Sequence, residues 1–227
     1  MKMEENKKNT RRPTGKRLVA EVISRLKKEY PDAGCTLEYD SPWKLLVEVR
    51  LAAQCTDERV NVVVKRLYDR FPDVKSLANA PVEEIEEIVK PCGLGHSKAR
   101  DISLCMKQLD EKYDGKVPED FDELLMLPGV GRKSANLIMG DIFGRPAIVT
   151  DTHCIRLVNR LGIVKHINDP KKVEMELWKL VPPEEGSDLC HRFVLHGRRI
   201  CTARTNPYCE ECCLKDICKM DIDGHKK

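Results

Sequence analysis

Residues 121–160 read FDELLMLPGVGRKSANLIMGDIFGRPAIVTDTHCIRLVNR, and the centre of that stretch, Leu127-Pro-Gly-Val-Gly-Arg-Lys133, decides the fold. The pattern before it is helical over about 121–126 and the pattern after it is helical over about 132–143, so the residues between form a tight turn joining antiparallel helices. Gly129 and Gly131 are expected to supply positive φ and close backbone approach in that turn. A glycine-lined turn that opens a helix also presents backbone N–H groups with no intrahelical partner, which suits a phosphate oxygen. A plain helical hairpin would carry the same glycines. The lysine set directly after the turn is what asks for more.

Working outward, the periodicity is helical almost everywhere. Leu18, Val22 and Leu26 share a stripe, and Val60, Val63, Val64 and Leu67 repeat it after Thr56-Asp57-Glu58, a capping residue followed by two acids at the positive end of the helix dipole. Further helices are expected over about 82–90, 97–112, 152–161, 170–181 and 187–200, with Asp169-Pro170 as a cap followed by proline at the first helical position. Breaks fall at Pro91 to Gly95, Gly115 to Pro118, Gly144 to Pro146 and Pro182-Pro183. No strand alternation and no solenoid repeat is visible. The pattern predicts an all-α protein.

At 227 residues the chain can bury one large core or two small ones. No apolar run approaches the ~20 residues of a membrane helix. The polar segment Met1 to Arg17 has no apolar core after its basic residues, so no secretory signal is expected, and the expected location is the cytoplasm, or the nucleoid if DNA is the partner. A net charge of +3 is too small to announce nucleic acid by itself, but the basic residues bunch at Lys7, Lys8, Arg11, Arg12, Lys16 and Arg17 and again at Arg198, Arg199 and Arg204. For the first group a solvated basic tail is the favoured reading, so this charge supports a DNA partner without establishing one.

Two features carry chemistry. Lys133 follows the hairpin, and Asp151 stands in Val149-Thr-Asp-Thr-His153; the helix between them and Gly144-Arg-Pro146 allow the chain to double back so that both face one cleft. A lysine amine can act as a nucleophile while an acid moves protons or steadies positive charge. An ordinary salt bridge, or Asp151 as a helix N-cap, fits the same residues. The second feature is sulfur. Of eleven cysteines, Cys35, Cys55, Cys92, Cys105, Cys154 and Cys190 are scattered and read as small buried hydrophobes. The other five crowd the C-terminal end. Cys201, Cys209, Cys212 and Cys218 can enclose zinc or an iron–sulfur cluster, and their compact, asymmetric spacing with a single Cys-x2-Cys knuckle favours a [4Fe–4S] cluster in a structural role. Cys213 offers an alternative register; Cys212 makes the tighter knuckle.

Taken together these residues resemble the endonuclease III family of helix-hairpin-helix DNA glycosylases/AP lyases. The resemblance runs from about Leu18 to Cys218 and is carried by Ala53-Gln-Cys-Thr-Asp57, Gly93-Leu-Gly-His-Ser-Lys98, the hairpin, Val149 to His153, His196-Gly-Arg198 and the four cysteines. It implies an N-terminal segment (1–34) packing with a cluster-bearing C-terminal lobe (146–227), and a six-helix lobe (35–145) containing the hairpin, with double-stranded DNA bound across the groove as substrate of a monomer. It implies that Lys133 is the nucleophile and Asp151 the essential acid, that Gln54 fills the gap left by an extruded base, and that Leu94 is a wedge from the opposite side. Asp57, Gly129, Val130, Gly131, Arg132 and His153 are implied as further DNA contacts. The implied reaction is removal of oxidised pyrimidines of the thymine glycol type, followed by β-elimination through a lysine Schiff base. The lysine argues against adenine-removing relatives.

Three features depart from the family pattern: a seven-residue first cysteine gap where six is usual, the charges Glu48 and Arg50 in an otherwise apolar helix, and Gly95-His96 beside Leu94. Other readings of the same residues are a non-catalytic DNA-binding module, a glycosylase for alkylated or mismatched bases, and a protein whose metal is its function.

Overall fold

Residues 12–203 and 207–220 are described by the computed structural model; they form eleven α-helices and four short 3-10 turns, with no β-strand among them. The chain divides into two compact units, residues 34–149 and residues 1–33 with 150–227.

In the 34–149 unit the helices are α2 (Pro42–Leu51), α3 (Asp57–Arg70), α4 (Val74–Ala78), α5 (Val82–Val89), α6 (Gly95–Tyr113), α7 (Phe121–Leu125) and α8 (Arg132–Asp141). The organising element is α6. Its buried residues Ala99, Ile102, Cys105, Met106 and Leu109 recur at helical spacing, and α4 and α5 pack against it. Burial of Ile102, Met106 and Leu109 contributes about 1.5–3 kcal/mol each. Starts are set by short polar side chains: Thr56 accepts from the Arg59 N–H at 3.4 Å, Asp73 and Ser76 cap α4 reciprocally, and Asp120 accepts from the N–H groups of Asp122 and Glu123. Periodicity does not mark two of these elements, α2 and α4. Glu48 breaks the apolar stripe of α2, and five residues are too few for α4 to show a period.

The other unit holds α1 (Gly15–Glu29), α9 (Thr152–Arg160), α10 (Pro170–Trp178) and α11 (Gly186–Arg199). The predicted stripe of α1 is buried, with Val19 and Ile23 added to Leu18, Val22 and Leu26, and α11 packs against both α1 and α9. Polar contacts tie α1 to the C-terminal segment. Arg25 forms an ion pair with Asp216 and donates to the Cys213 carbonyl at 3.0 Å, and Arg12 donates to the carbonyls of Ile217 and Leu161. The basic tail Lys7, Lys8 and Arg11, and Arg204 in the long cysteine gap, lie outside the described residues.

Candidate active site and cysteine cavity

The hairpin is built as the sequence suggests, with one difference. Gly129 has φ +77°, and a Cβ there would stand 2.9 Å from Arg50 Cδ and 3.0 Å from Asp101 Cβ, so both backbone conformation and space demand glycine. Gly131 does not use positive φ. It is the extended N-cap of α8 at φ −99°, and a Cβ there would meet nothing within 4 Å. Its bareness leaves room beside the helix start instead of enabling the turn. Val130 N–H closes the turn onto the Leu127 carbonyl at 3.1 Å. Lys133 is the second residue of α8 and is exposed, while the half-buried Arg132 stacks its guanidinium over Phe121 with the carbon 5.1 Å from the ring centre.

The residues expected as gap filler and wedge are both exposed and both left-handed, Gln54 at φ +58° and Leu94 at φ +51°. Gln54 lies between α2 and α3, and Leu94 is the N-cap of α6. Asp57 opens α3 and accepts from the Thr36 hydroxyl. The departures from the family pattern are accommodated locally. Gly95 fits where a Cβ would stand 3.2 Å from Lys90 Cα, and His96 pairs with Glu86 at 2.9 Å. Arg50 donates to Asp101 at 2.7 Å and to Ser97 at 3.0 Å beneath Gly129. Glu48 is fully buried, accepts from Tyr68 Oη at 3.1 Å and has its Oε2 unpartnered; burial pushes it up to about 7.

In the second unit Asp151 is the N-cap of α9, its Oδ1 accepting from the Cys154 N–H at 2.7 Å. The cap and a chemical role are compatible, since a carboxylate has a second oxygen. His153, in the first turn of α9, is half-buried; its Nδ1 lies 3.0 Å from Arg156 Nη2, which also donates to the Gly197 carbonyl. Burial lowers the His153 pKa, and Arg156 and Arg198 add to the effect against Asp151. Gly197 is obligatory here, because a Cβ would fall 2.5 Å from His153 Nδ1. Lys133 belongs to the 34–149 unit and Asp151 and His153 to the other.

Cys201, Cys209, Cys212 and Cys218 line a single cavity together with Ile200, Pro207, Lys215 and Met220; Cys213 is absent from its wall. Burial raises the thiol pKa of Cys209, Cys212 and Cys218, that of Cys212 to about 12. Arg160 Nη1 lies 3.2 Å from Cys201 Sγ, and His196 Nε2 lies 3.4 Å from Cys212 Sγ while its Nδ1 meets Tyr30 Oη at 3.1 Å. No three His, Cys, Asp or Glu side chains among the described residues are grouped so as to hold a metal ion. The sulfurs line a cavity; they do not converge on a point. An all-sulfur donor set around an enclosed space fits a polynuclear cluster. Of the scattered cysteines, Cys92, Cys105, Cys154 and Cys190 are buried as expected, but Cys35 and Cys55 are only half-buried.

Residues 47–183 match the HhH-GPD superfamily of base excision DNA repair proteins. Endonuclease III of Synechocystis sp. is 44% identical over 89% of this chain and 92% of its own length, and that of Bacillus subtilis is 41% identical over 87% and 90%. The chain belongs to the endonuclease III family of DNA glycosylases/AP lyases. A solved structure described as a trapped endonuclease III–DNA covalent intermediate superposes with a TM-score of 0.86 at 40% identity, covering 93% of this chain and 98% of that one. The chain is thus a base excision repair glycosylase whose partner is DNA, and no helix among the described residues is long and apolar enough to cross a membrane.

Against that endonuclease III frame, sequence reasoning missed Lys98, which is fully buried, and the Tyr30–His196 pair behind Cys212. Lys98 stands in the same motif as the exposed Leu94, and a lysine reads as surface by default. His196 opens the His196-Gly-Arg198 motif, but its partner Tyr30, the C-cap of α1, lies 166 residues away, a separation no local pattern reveals.

Proposed function

We propose that this endonuclease III family member removes oxidised pyrimidines of the thymine glycol type from double-stranded DNA as a monomer, and then cleaves 3′ to the abasic site by β-elimination. The observation that carries the reading is an exposed amine at the second position of a helix that opens on a side-chain-free N-cap. The N–H groups of that first turn suit a phosphate oxygen, so backbone and nucleophile address the same stretch of DNA. Support also comes from the family's trapped covalent DNA intermediate.

The chemistry follows from the residues. An oxidised pyrimidine stacks poorly, which lowers the cost of extruding its nucleotide. The Lys133 amine attacks C1′ of the deoxyribose, the C1′–N bond breaks, and the base leaves with a proton. The sugar ring opens to a Schiff base on Nζ. Removal of a C2′ proton then expels the 3′ phosphate and leaves an unsaturated imine, which water hydrolyses to release the enzyme. Asp151 steadies cationic sugar character and carries protons. Gln54 and Leu94 enter the duplex beside the vacated position, Gly129, Val130, Gly131 and Arg132 hold backbone phosphate, and Asp57 and His153 supply further contacts.

Cys201, Cys209, Cys212 and Cys218 would hold a [4Fe–4S] cluster, which when bound cross-links the C-terminal loop through four thiolates. The exclusion of Cys213 from the cavity makes the choice of ligands testable. Cys212→Ala should lose the iron and the brown colour, and Cys213→Ala should keep both. The catalytic reading is tested by borohydride trapping on a duplex with one thymine glycol. The intact protein should give a covalent band and Lys133→Ala none; a band of equal intensity from the variant contradicts the assignment.

A further inference from the structure

Lys98 is a charged side chain with no exposure to solvent. Its ammonium donates to two backbone carbonyls, those of Leu51 and Cys92, each at 2.8 Å. Leu51 is the last residue of α2, and Cys92 is the last residue of the 3-10 turn Lys90–Cys92. Both are C-terminal ends of helical elements, where carbonyls lack intrahelical partners and where a positive charge is favourable. Burial lowers the pKa of this lysine, and the Cys55 and Cys92 thiols beside it act in the opposite sense.

The position of the two carbonyls gives the contact its meaning. Three residues beyond Leu51 is Gln54, and two residues beyond Cys92 is Leu94; among the described residues these are the two exposed non-glycine residues of the unit that stand in left-handed backbone on α-helix-opening turns. Leu94 keeps 57% of its surface exposed. Left-handed backbone at a non-glycine residue persists only where its surroundings over-determine it. Here one ammonium supplies part of that constraint to both turns at once. Burial, with the neighbouring Cys55 thiol next to Gln54 adding to it, raises the Cys92 thiol to about 11. The two turns are therefore joined at their bases by Lys98, with their tips left free.

We propose that Lys98 is a positioning residue: a single buried ammonium fixes the spacing between the Gln54 and Leu94 turns so that both side chains enter the duplex together, an inference that rests on the glycosylase reading above. Lys98 touches neither DNA nor the reacting sugar. Its effect is on whether the extruded state is held, and so on duplex substrates in particular. A single-stranded abasic site has no stack to part and no gap to fill, and cleaving it needs only the amine.

The test uses the full, cluster-containing chain as intact protein, Lys98→Met and Lys98→Arg. The first readout involves no chemistry: a duplex with a tetrahydrofuran abasic analogue opposite a fluorescent purine, whose emission rises when the turns unstack it. The second is the ratio of cleavage rates on duplex thymine glycol and on a single-stranded abasic site. Lys98→Met should bind the duplex without the fluorescence rise and should lower the rate ratio by about 100-fold, the cost typical of an ångström-scale misplacement. If Lys98→Met does not fold, Lys98→Arg keeps the charge but its longer planar fork resets the spacing, and the ratio should fall by about tenfold in the same direction. Equal losses on both substrates, or a normal fluorescence rise in whichever variant folds, would overturn the proposal. So would an intact protein that binds without any rise. An intact protein that unstacks the purine but cleaves neither substrate would instead strike at the glycosylase reading and leave the positioning role standing on the fluorescence comparison.

Discussion

Two helices of the 34–149 unit, α6 and α8, begin after turns that contain glycine, and each has a lysine in its first stretch. On α8 the turn is Pro128-Gly-Val-Gly131 and Lys133 is exposed to solvent; on α6 it is Gly93-Leu-Gly95 and Lys98 is sealed between two carbonyls. The strained residue differs too. On α8 the positive φ falls on Gly129, which adopts it without a steric penalty, whereas on α6 it falls on Leu94 as well as on Gly93. One turn keeps its backbone bare and presents an amine. The other presents an apolar side chain and hides the amine beneath it. Similar local sequence thus yields an exposed lysine in one place and a buried one in the other, at the second position of α8 and the fourth of α6.

The largest expected effect breaks the comparison on the side of chemistry. Lys133→Ala should lower strand cleavage by at least ~100-fold and leave urea unfolding within about 0.5 kcal/mol of the intact protein, as an exposed site should. Lys98→Met should do the reverse in stability. Two buried carbonyls lose their donor, and urea unfolding should show a loss of roughly 2–4 kcal/mol; an unchanged midpoint would mean that water replaces the ammonium.

The glycines sharpen the contrast further. Gly129→Ala must bear both the left-handed backbone and the contact with Arg50, and should cost about 1–3 kcal/mol in the same assay. Gly131→Ala, at φ −99° and facing open space, should cost under about 1 kcal/mol while weakening binding to abasic duplex. Equal costs at both positions would contradict the distinct uses assigned to them. A pH-dependent effect concerns Glu48, which unlike Lys98 is buried with one oxygen unpartnered. Its folded pKa of about 7 exceeds the usual 4.5, so the folded state holds a proton that the unfolded state gives up. Stability should therefore be fully present below about pH 4.5 and decline as pH rises to about 7, then level off. Glu48→Gln should flatten that window in urea titrations at several pH values.

Much of this was legible in the sequence because it depends on neighbours along the chain. The hairpin, the caps at Thr56 and Asp169 and the apolar stripes of α1 and α3 are local patterns, and the endonuclease III family resemblance followed from motif order. The rest depends on residues distant in sequence. Whether Gly131 is left-handed is set by how α8 starts, and glycine is compatible with either answer. That Arg50 lies beneath Gly129 requires α2, α6 and the hairpin to meet. Lys98 reads as a surface residue until the ends of α2 and of the 3-10 turn are brought to it. Among the cysteines, spacing offered two registers for the third ligand, and only the folded loop separates the Cys212 side chain, on the cavity wall, from Cys213, whose carbonyl is held by Arg25.

The central claim is that Lys133, and no other lysine, is the amine that meets the sugar. Its most direct test is to trap the intact protein on thymine glycol duplex with borohydride, digest the adduct and map the modified peptide by mass spectrometry. The account predicts the deoxyribose remnant on Lys133 alone, with Lys98 unmodified. A remnant on Lys98, or spread over several surface lysines, would contradict it.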